Sequence, residues 1–223
     1  MVCPAAHRAL RWAAPLAAAL LLCLPGAARA ALLDAVLAEV ELRVVTASDI
    51  ALARALALFG LRPSPAPITA PEVQRYLDGF LLAQEAGQLD VRVTEEEVEA
   101  EWRAAGEAAG GLPRLQAWLE AIGGSAAWAK EFLARDLRRR RFFDLRFRAF
   151  AFVTEFDVDR ALGPGAHSPA AREAARQRLL ARTVERSQAE WLAEARARTP
   201  IRLLLSDPVP LPFAMPGERA RHP

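Results

Sequence analysis

The chain has 223 residues, 29 of them basic and 27 acidic, and 53% are hydrophobic; that suits one or two domains with material for a core. Three basic residues, Arg8, Arg11 and Arg29, fall in positions 1–30, which hold no acid, so the remainder carries 26 basic against 27 acidic residues and gives no support to a nucleic-acid partner. Both cysteines, Cys3 and Cys23, also lie there, which excludes disulfide and thiolate chemistry from the rest.

Positions 1–30 read as a secretory signal. Arg8 and Arg11 give the basic start, Ala13–Leu24 the apolar run, and Ala28-Arg29-Ala30 a small-x-small site for cleavage after Ala30. A membrane anchor is the alternative, but the run is short for a span of ~20 apolar residues and contains Pro15. Leu20-Leu21-Leu22 is a poor lead-in to a lipoprotein cysteine at Cys23. The expected destination is the periplasm.

Residues 36–45 alternate with a period of two, which predicts strand. Ser48 is positioned to cap a helix carrying Ile50, Leu52, Leu56 and Phe59 and ending at Gly60. Residues 61–68 form a stiff proline-rich linker. Thr69-x-x-Glu72 has capping-box spacing and opens a second helix, with Val73, Tyr76, Leu77, Phe80 and Leu81 as its stripe. Thr94 with Glu97 opens a third helix through Val98 and Trp102. Leu112–Ile122 is a short fourth helix between glycine pairs, and Ser125 caps a fifth reaching about Phe150. Thr154 opens a short sixth, and a Gly163-Pro164-Gly165 loop follows.

The last long stretch, Ala171–Ser206, organises the whole. Leu180, Val184, Ser187, Trp191 and Ala195 share one helix face, and Arg186–Glu190 and Glu194–Arg198 have the spacing of helical ion pairs. Pro200 then opens a strand over Ile201, Leu203 and Leu205. A lone helix cannot bury that stripe, so this segment is expected to return to a domain begun near residue 34, its strand pairing with residues 36–45. The fold class is mainly α with a small β-sheet. The expected organisation is a signal at 1–30, a core over 31–206 (an N-terminal part at 34–161, a loop at 162–169, a closing helix and strand at 170–206), and a disordered proline-rich tail over 207–223.

Val45-Thr46-Ala47-Ser48-Asp49-Ile50 resembles the opening of the SurA-type periplasmic chaperones. Phe80–Ala86, Val93–Val98, Phe132–Arg141, Thr154–Val158, and the end from Glu190-Trp191-Leu192 to Ile201–Leu204 are similar to later parts of that family. The resemblance covers most of 34–206 and implies an ATP-independent holding chaperone for unfolded exported proteins, notably outer-membrane proteins. The family's prolyl isomerase domain usually sits where this chain has only Leu162–Pro169, so the resemblance is to the chaperone core without the isomerase. The family's Asn-Gly turn in the first strand pair is replaced by Val40-Glu41-Leu42-Arg43, which leaves one long strand and a hairpin both open.

No enzyme signature stands out. His167 and His222 lie in a loop and a tail, and no set of His or Cys with zinc spacing exists; no cofactor or metal is expected. The acidic run Glu95–Glu101 reads as a helix start that favours negative charge. Lys130–Arg148 interleaves arginines with Phe132, Phe142, Phe143 and Phe147, and Phe150 follows. It reads as a helix with a buried aromatic face and Arg stems along its edge; anionic lipid head groups or acidic clients are other uses for those arginines, giving proximity to a membrane periphery.

Trp102, Trp118 and Trp128, in or beside the short middle helices, and Phe80 are the candidate peptide-binding residues. The expected partners are unfolded or extended polypeptides, gripped in a cradle between the middle helices and the core made by the chain ends. A structural or adaptor protein holding one fixed partner is the alternative.

Overall fold

The computed structural model describes residues 34–211, 215 and 216. The expected signal and its cleavage site lie outside the described residues.

Three strands, β1 (Val36–Val40), β2 (Arg43–Thr46) and β3 (Ile201–Leu203), form one antiparallel sheet in the order β2-β1-β3. Ala38 pairs with Leu203 and Val40 with Ile201. The first and last strands therefore close on each other as the alternating patterns predict. Leu37, Ala38, Val40 and Val45 are buried, and Glu39 and Arg202 form an ion pair at 2.9 Å.

Residues 36–45 are a hairpin, not one long strand. Val40 faces Arg43 across the turn residues Glu41 and Leu42. Glu41 takes φ +52°, a region costly for a residue with a Cβ. Its N–H donates to the Pro200 carbonyl at 2.9 Å, so the returning C-terminal chain supports the turn that the local sequence does not favour.

Seven helices follow among the described residues. The first, α1 (Ala47–Ala55), is capped by Thr46, not by Ser48. The Thr46 hydroxyl accepts from the Asp49 N–H at 3.3 Å, and the Asp49 carboxylate accepts from the Thr46 N–H at 2.9 Å. The Ser48 N–H goes instead to the Asp34 carboxylate at 3.0 Å. The helix ends before Gly60 because Ala57 and Phe59 take φ of +52° and +53°. Buried Asp136 accepts from the Phe59 N–H at 3.1 Å and holds that turn.

The proline-rich linker is pinned rather than free-standing. Arg54, only 1% exposed, donates to the carbonyls of Ser64 (3.0 Å), Ala66 (2.6 Å) and Pro67 (3.2 Å). It also donates to both carboxylate oxygens of Glu72, at 2.9 and 2.5 Å. Burial alone would raise the Glu72 carboxyl; the Arg54 guanidinium and Thr69 outweigh it and hold it below the usual carboxylate value.

The remaining helices are α2 (Ala70–Gln88), α3 (Glu95–Ala108), α4 (Leu112–Ala121), α5 (Ala126–Phe143), α6 (Glu155–Leu162) and α7 (Pro169–Arg198). Their starts match the expected caps Thr69, Thr94, Ser125 and Thr154, with Ser168 opening α7. The fifth helix stops at Phe143 rather than about Phe150 and passes into a π turn, Asp144–Arg148. The extra residue in that turn sends Phe147 inward, where it is buried.

The main core gathers residues from the sheet, α1, α2, α3, α4 and α5, together with Leu205. A smaller cluster joins Leu82 and Ala86 of α2, Phe142, Phe147 and Leu192 of α7. It receives the apolar stripe of α7, with Val184 and Trp191 packed on its edge. The predicted Arg186–Glu190 and Glu194–Arg198 pairs do not form among the described residues. Arg198 reaches Glu85 at 3.3 Å and Arg196 reaches Asp78 at 2.6 Å, so the charges tie α7 to α2.

The tail expected to be disordered is ordered at its start. Val209 and Ile68 exchange two backbone hydrogen bonds, of 2.7 and 3.0 Å. That bridge holds the tail against the linker, and Met215 is buried.

Candidate polypeptide-binding surfaces

The tryptophans fall differently from the sequence expectation. Trp102 is 2% exposed and Trp118 is also buried. Both belong to the main core and present nothing to a client in this conformation. One reason is that α3 is not loosely held. Lys130–Glu99 (2.5 Å), Arg140–Glu101 (2.9 Å) and Arg141–Glu97 (2.5 Å) join α5 to α3 in a ladder, and the Lys130 ammonium lies 5.9 Å from the Trp102 ring. The acidic start of α3 thus pairs with the arginine-rich helix instead of simply facing water. The cradle expected between the middle helices and the core is filled by their own side chains.

Trp128 and Phe80 are half-buried and border open space. They flank a furrow beside β2, where a pocket of about 370 Å³ runs from Leu42–Val45 to Phe80, Trp128, Phe132 and Arg135. A second pocket, of about 330 Å³, shares Phe80, Arg43 and Arg135 with the first and adds Arg138, Glu41 and Ala83. A third, of about 430 Å³, continues past Glu41 and Gln84 to Trp191 and Arg198. Two of the four candidates therefore meet in one place and two do not.

Inside this furrow the titratable groups of α1 and α2 are shaped by burial. It raises the Asp49 carboxyl despite the hydrogen bonds from Thr46, and it raises the Tyr76 phenol, with Asp49 adding to the effect. Gln84 keeps one buried amide oxygen without a hydrogen-bond partner, while its Nε2 reaches Glu41 at 3.4 Å.

A different surface carries the most exposed aromatics. After the π turn, Phe150 and Phe152 are each 76% exposed and Phe156 is 65% exposed. Residues 151–153 lie outside any helix or strand, and half-buried Ala151 and Val153 flank Phe152. The alternation turns Phe150 and Phe152 outward together. At about 200 Å² per phenylalanine, the three together leave roughly 400 Å² of apolar area in water.

The ledge has a fixed mounting. Thr154 and Asp157 form the capping box of α6, and Arg172 and Arg176 of α7 both bind Glu155, with Arg172 also on Asp159 at 2.5 Å. These pairs hold the Glu155 and Asp157 carboxyls low, through the arginines and through Thr154 respectively. The Arg160 guanidinium lies 4.5 Å from the Phe156 ring centroid, giving the patch a cationic rim. Beside the ledge, an apolar hollow of about 460 Å³ is lined by Phe143, Ala151, Leu180, Ala181 and Val184, with Arg148 and Glu185 at its border.

Sequence reading assigned Phe150 to a buried aromatic face. Phe132, Phe142 and Phe147 are indeed buried, but the π turn breaks the period before Phe150. The available signal was the cluster Phe150-Ala-Phe152 standing just before a capping threonine, outside any helix.

Among the described residues, no group of three or more His, Cys, Asp or Glu side chains could hold a metal ion. None of the described helices is long and apolar enough to cross a membrane. No protein-family model matches the chain. No curated protein matches it either.

Proposed function

We propose that this protein binds extended, apolar-rich segments of unfolded exported polypeptides in the periplasm and holds them against aggregation, without ATP and without prolyl isomerase chemistry. The observation that carries the reading is the ledge of Phe150, Phe152 and Phe156, three phenylalanines left in water on a braced support beside an apolar hollow. Burying such rings on a client is favourable at roughly 25 cal/mol per Å², and a flat aromatic surface tolerates many sequences because it asks for no fixed hydrogen-bond pattern. The resemblance of most of residues 34–206 to SurA-type chaperones points the same way.

The adaptor alternative uses the same ledge for one fixed partner. Dilution of several unrelated unfolded outer-membrane proteins into buffer with and without the protein separates the two. A general holdase slows aggregation of most of them; an adaptor slows none. Turnover of a proline-containing peptide above background in a protease-coupled assay would contradict the non-enzymatic part of the proposal.

A further inference from the structure

The pocket between the hairpin and the start of the arginine-rich helix has a chemistry of its own. Arg43, Arg135 and Arg138 all line it, with Phe80 and Ala83 as its apolar floor and Glu41 as its one acid. Among the described residues neither Arg43 nor Arg138 has an ion-pair partner; Arg135 has a 3.4 Å contact to exposed Glu131 and lies over the Phe132 ring at 5.4 Å. Elsewhere on α5 the arginines are engaged: Arg139 and Arg140 bind Asp136, at 2.7 and 3.0 Å, and Arg141 binds Glu97. Three arginines bordering one pocket, two of them without an ion-pair partner among the described residues, are suited to an anion, since planar guanidinium pairs well with a carboxylate.

The neighbouring furrow says what the anion is attached to. β2 is the sheet's edge on that side. Val40–Arg43 closes the hairpin and Ala38 faces Val45, so Val44 between them turns its N–H and C=O away from β1. The open furrow lies along Leu42–Val45 and ends, through Phe80, Arg43 and Arg135, in the arginine pocket. A chain laid antiparallel to β2 would pair with Val44 and arrive at the arginines with its C-terminus.

We infer that the pocket of Arg43, Arg135 and Arg138 takes the terminal carboxylate of an extended polypeptide, with that polypeptide's last apolar side chain on Phe80. The apolar floor fits a side chain, and the Glu41 carboxylate on the rim favours a single negative charge over a phosphate dianion. The inference goes beyond the holdase proposal, sharing with it only that the partner is a polypeptide, and uses a different surface.

The test is fluorescence anisotropy of the full chain with a short labelled peptide ending in phenylalanine, made as the free acid and as the C-terminal amide. The free acid should bind about tenfold more tightly than the amide. Arg138→Gln and Arg43→Gln should each bring the acid to the amide's affinity without changing the amide's, and Arg138→Lys should keep part of the difference. Thermal melting checks that the variants fold; both side chains lack ion pairs, so the melting point should not move. Equal affinity of acid and amide overturns the inference. So does an acid preference that survives both glutamine variants, or displacement of the acid peptide by millimolar inorganic phosphate. An equal affinity that the Phe150 and Phe152 side chains nonetheless support would sink the carboxylate site and leave the holdase reading standing; failure of both peptides to bind would sink the site as well.

Discussion

Replacing Arg54 with methionine should unfold the linker before anything else. Methionine keeps the length and apolar stem but removes all five hydrogen bonds of the guanidinium: three to Ser64, Ala66 and Pro67, two to Glu72. Stripping one partner from a buried ion pair costs about 3–5 kcal/mol. Glu72 keeps 19% of its side chain in water, which relieves part of its isolation and places the loss near the lower bound, about 3 kcal/mol. Arg54→Met with Glu72→Gln should cost less than the sum of the single changes, because glutamine leaves no stranded charge; a coupling of about 1–2 kcal/mol is the expected size. Urea unfolding followed by circular dichroism measures both. A single-variant loss under about 1 kcal/mol, or additive effects in the pair, would refute the claim that this guanidinium organises residues 61–68.

The same pair sets an acid limit. Because Glu72 is held below its ordinary value, its contribution is fully present above about pH 4.5 and is lost as pH falls through the lowered value; Glu72→Gln should flatten that part of a stability–pH profile. Asp49 acts with the opposite sign, since its raised carboxyl weighs against the folded state once pH rises past that value. At the hairpin turn, Glu41→Gly should stabilise by about 0.5–1 kcal/mol in the same urea assay, as it removes the Cβ from a φ of +52°; a loss would mean that the Glu41 side chain matters more than its backbone. Ending the chain at Thr199 removes the strand partner of β1 and the acceptor for the Glu41 N–H, so cooperative melting should be lost; a sharp transition at the original temperature would contradict the closure of the two ends.

What the sequence made legible was local or periodic. Thr69 with Glu72, Thr94 with Glu97 and Thr154 with Asp157 announce helix starts within four residues of chain, and all three form. The β1–β3 pairing was legible because both segments alternate and only one apolar face needed covering. Most of the misses are long-range. Nothing near Arg54 signals that it will be buried, because its partners lie 10 to 18 residues away. Thr46 displaces Ser48 as cap because Asp49 sits three residues after it and Asp34 claims the Ser48 N–H. The Glu41–Leu42 turn depends on Pro200, at the other end of the domain. Of the four candidate residues, Phe80 and Trp128 border a furrow, whereas Trp102 on α3 and Trp118 on α4 lie in the core; the ledge of Phe150, Phe152 and Phe156 was not among them, because the π turn that exposes it leaves no periodic signal. Gly79 shows the same limit, since a Cβ there would come within 2.7 Å of Phe59, a contact set by tertiary packing alone.

The most direct measurement is the holding activity of a chain in which Phe150, Phe152 and Phe156 are all serine. Their side chains stand in water, so the melting temperature should stay within a few degrees or rise. If the ledge is where clients land, light scattering from unfolded outer-membrane proteins should climb as though no protein had been added. Undiminished suppression of that scattering by the triple variant would move client binding off the ledge and take the functional account with it.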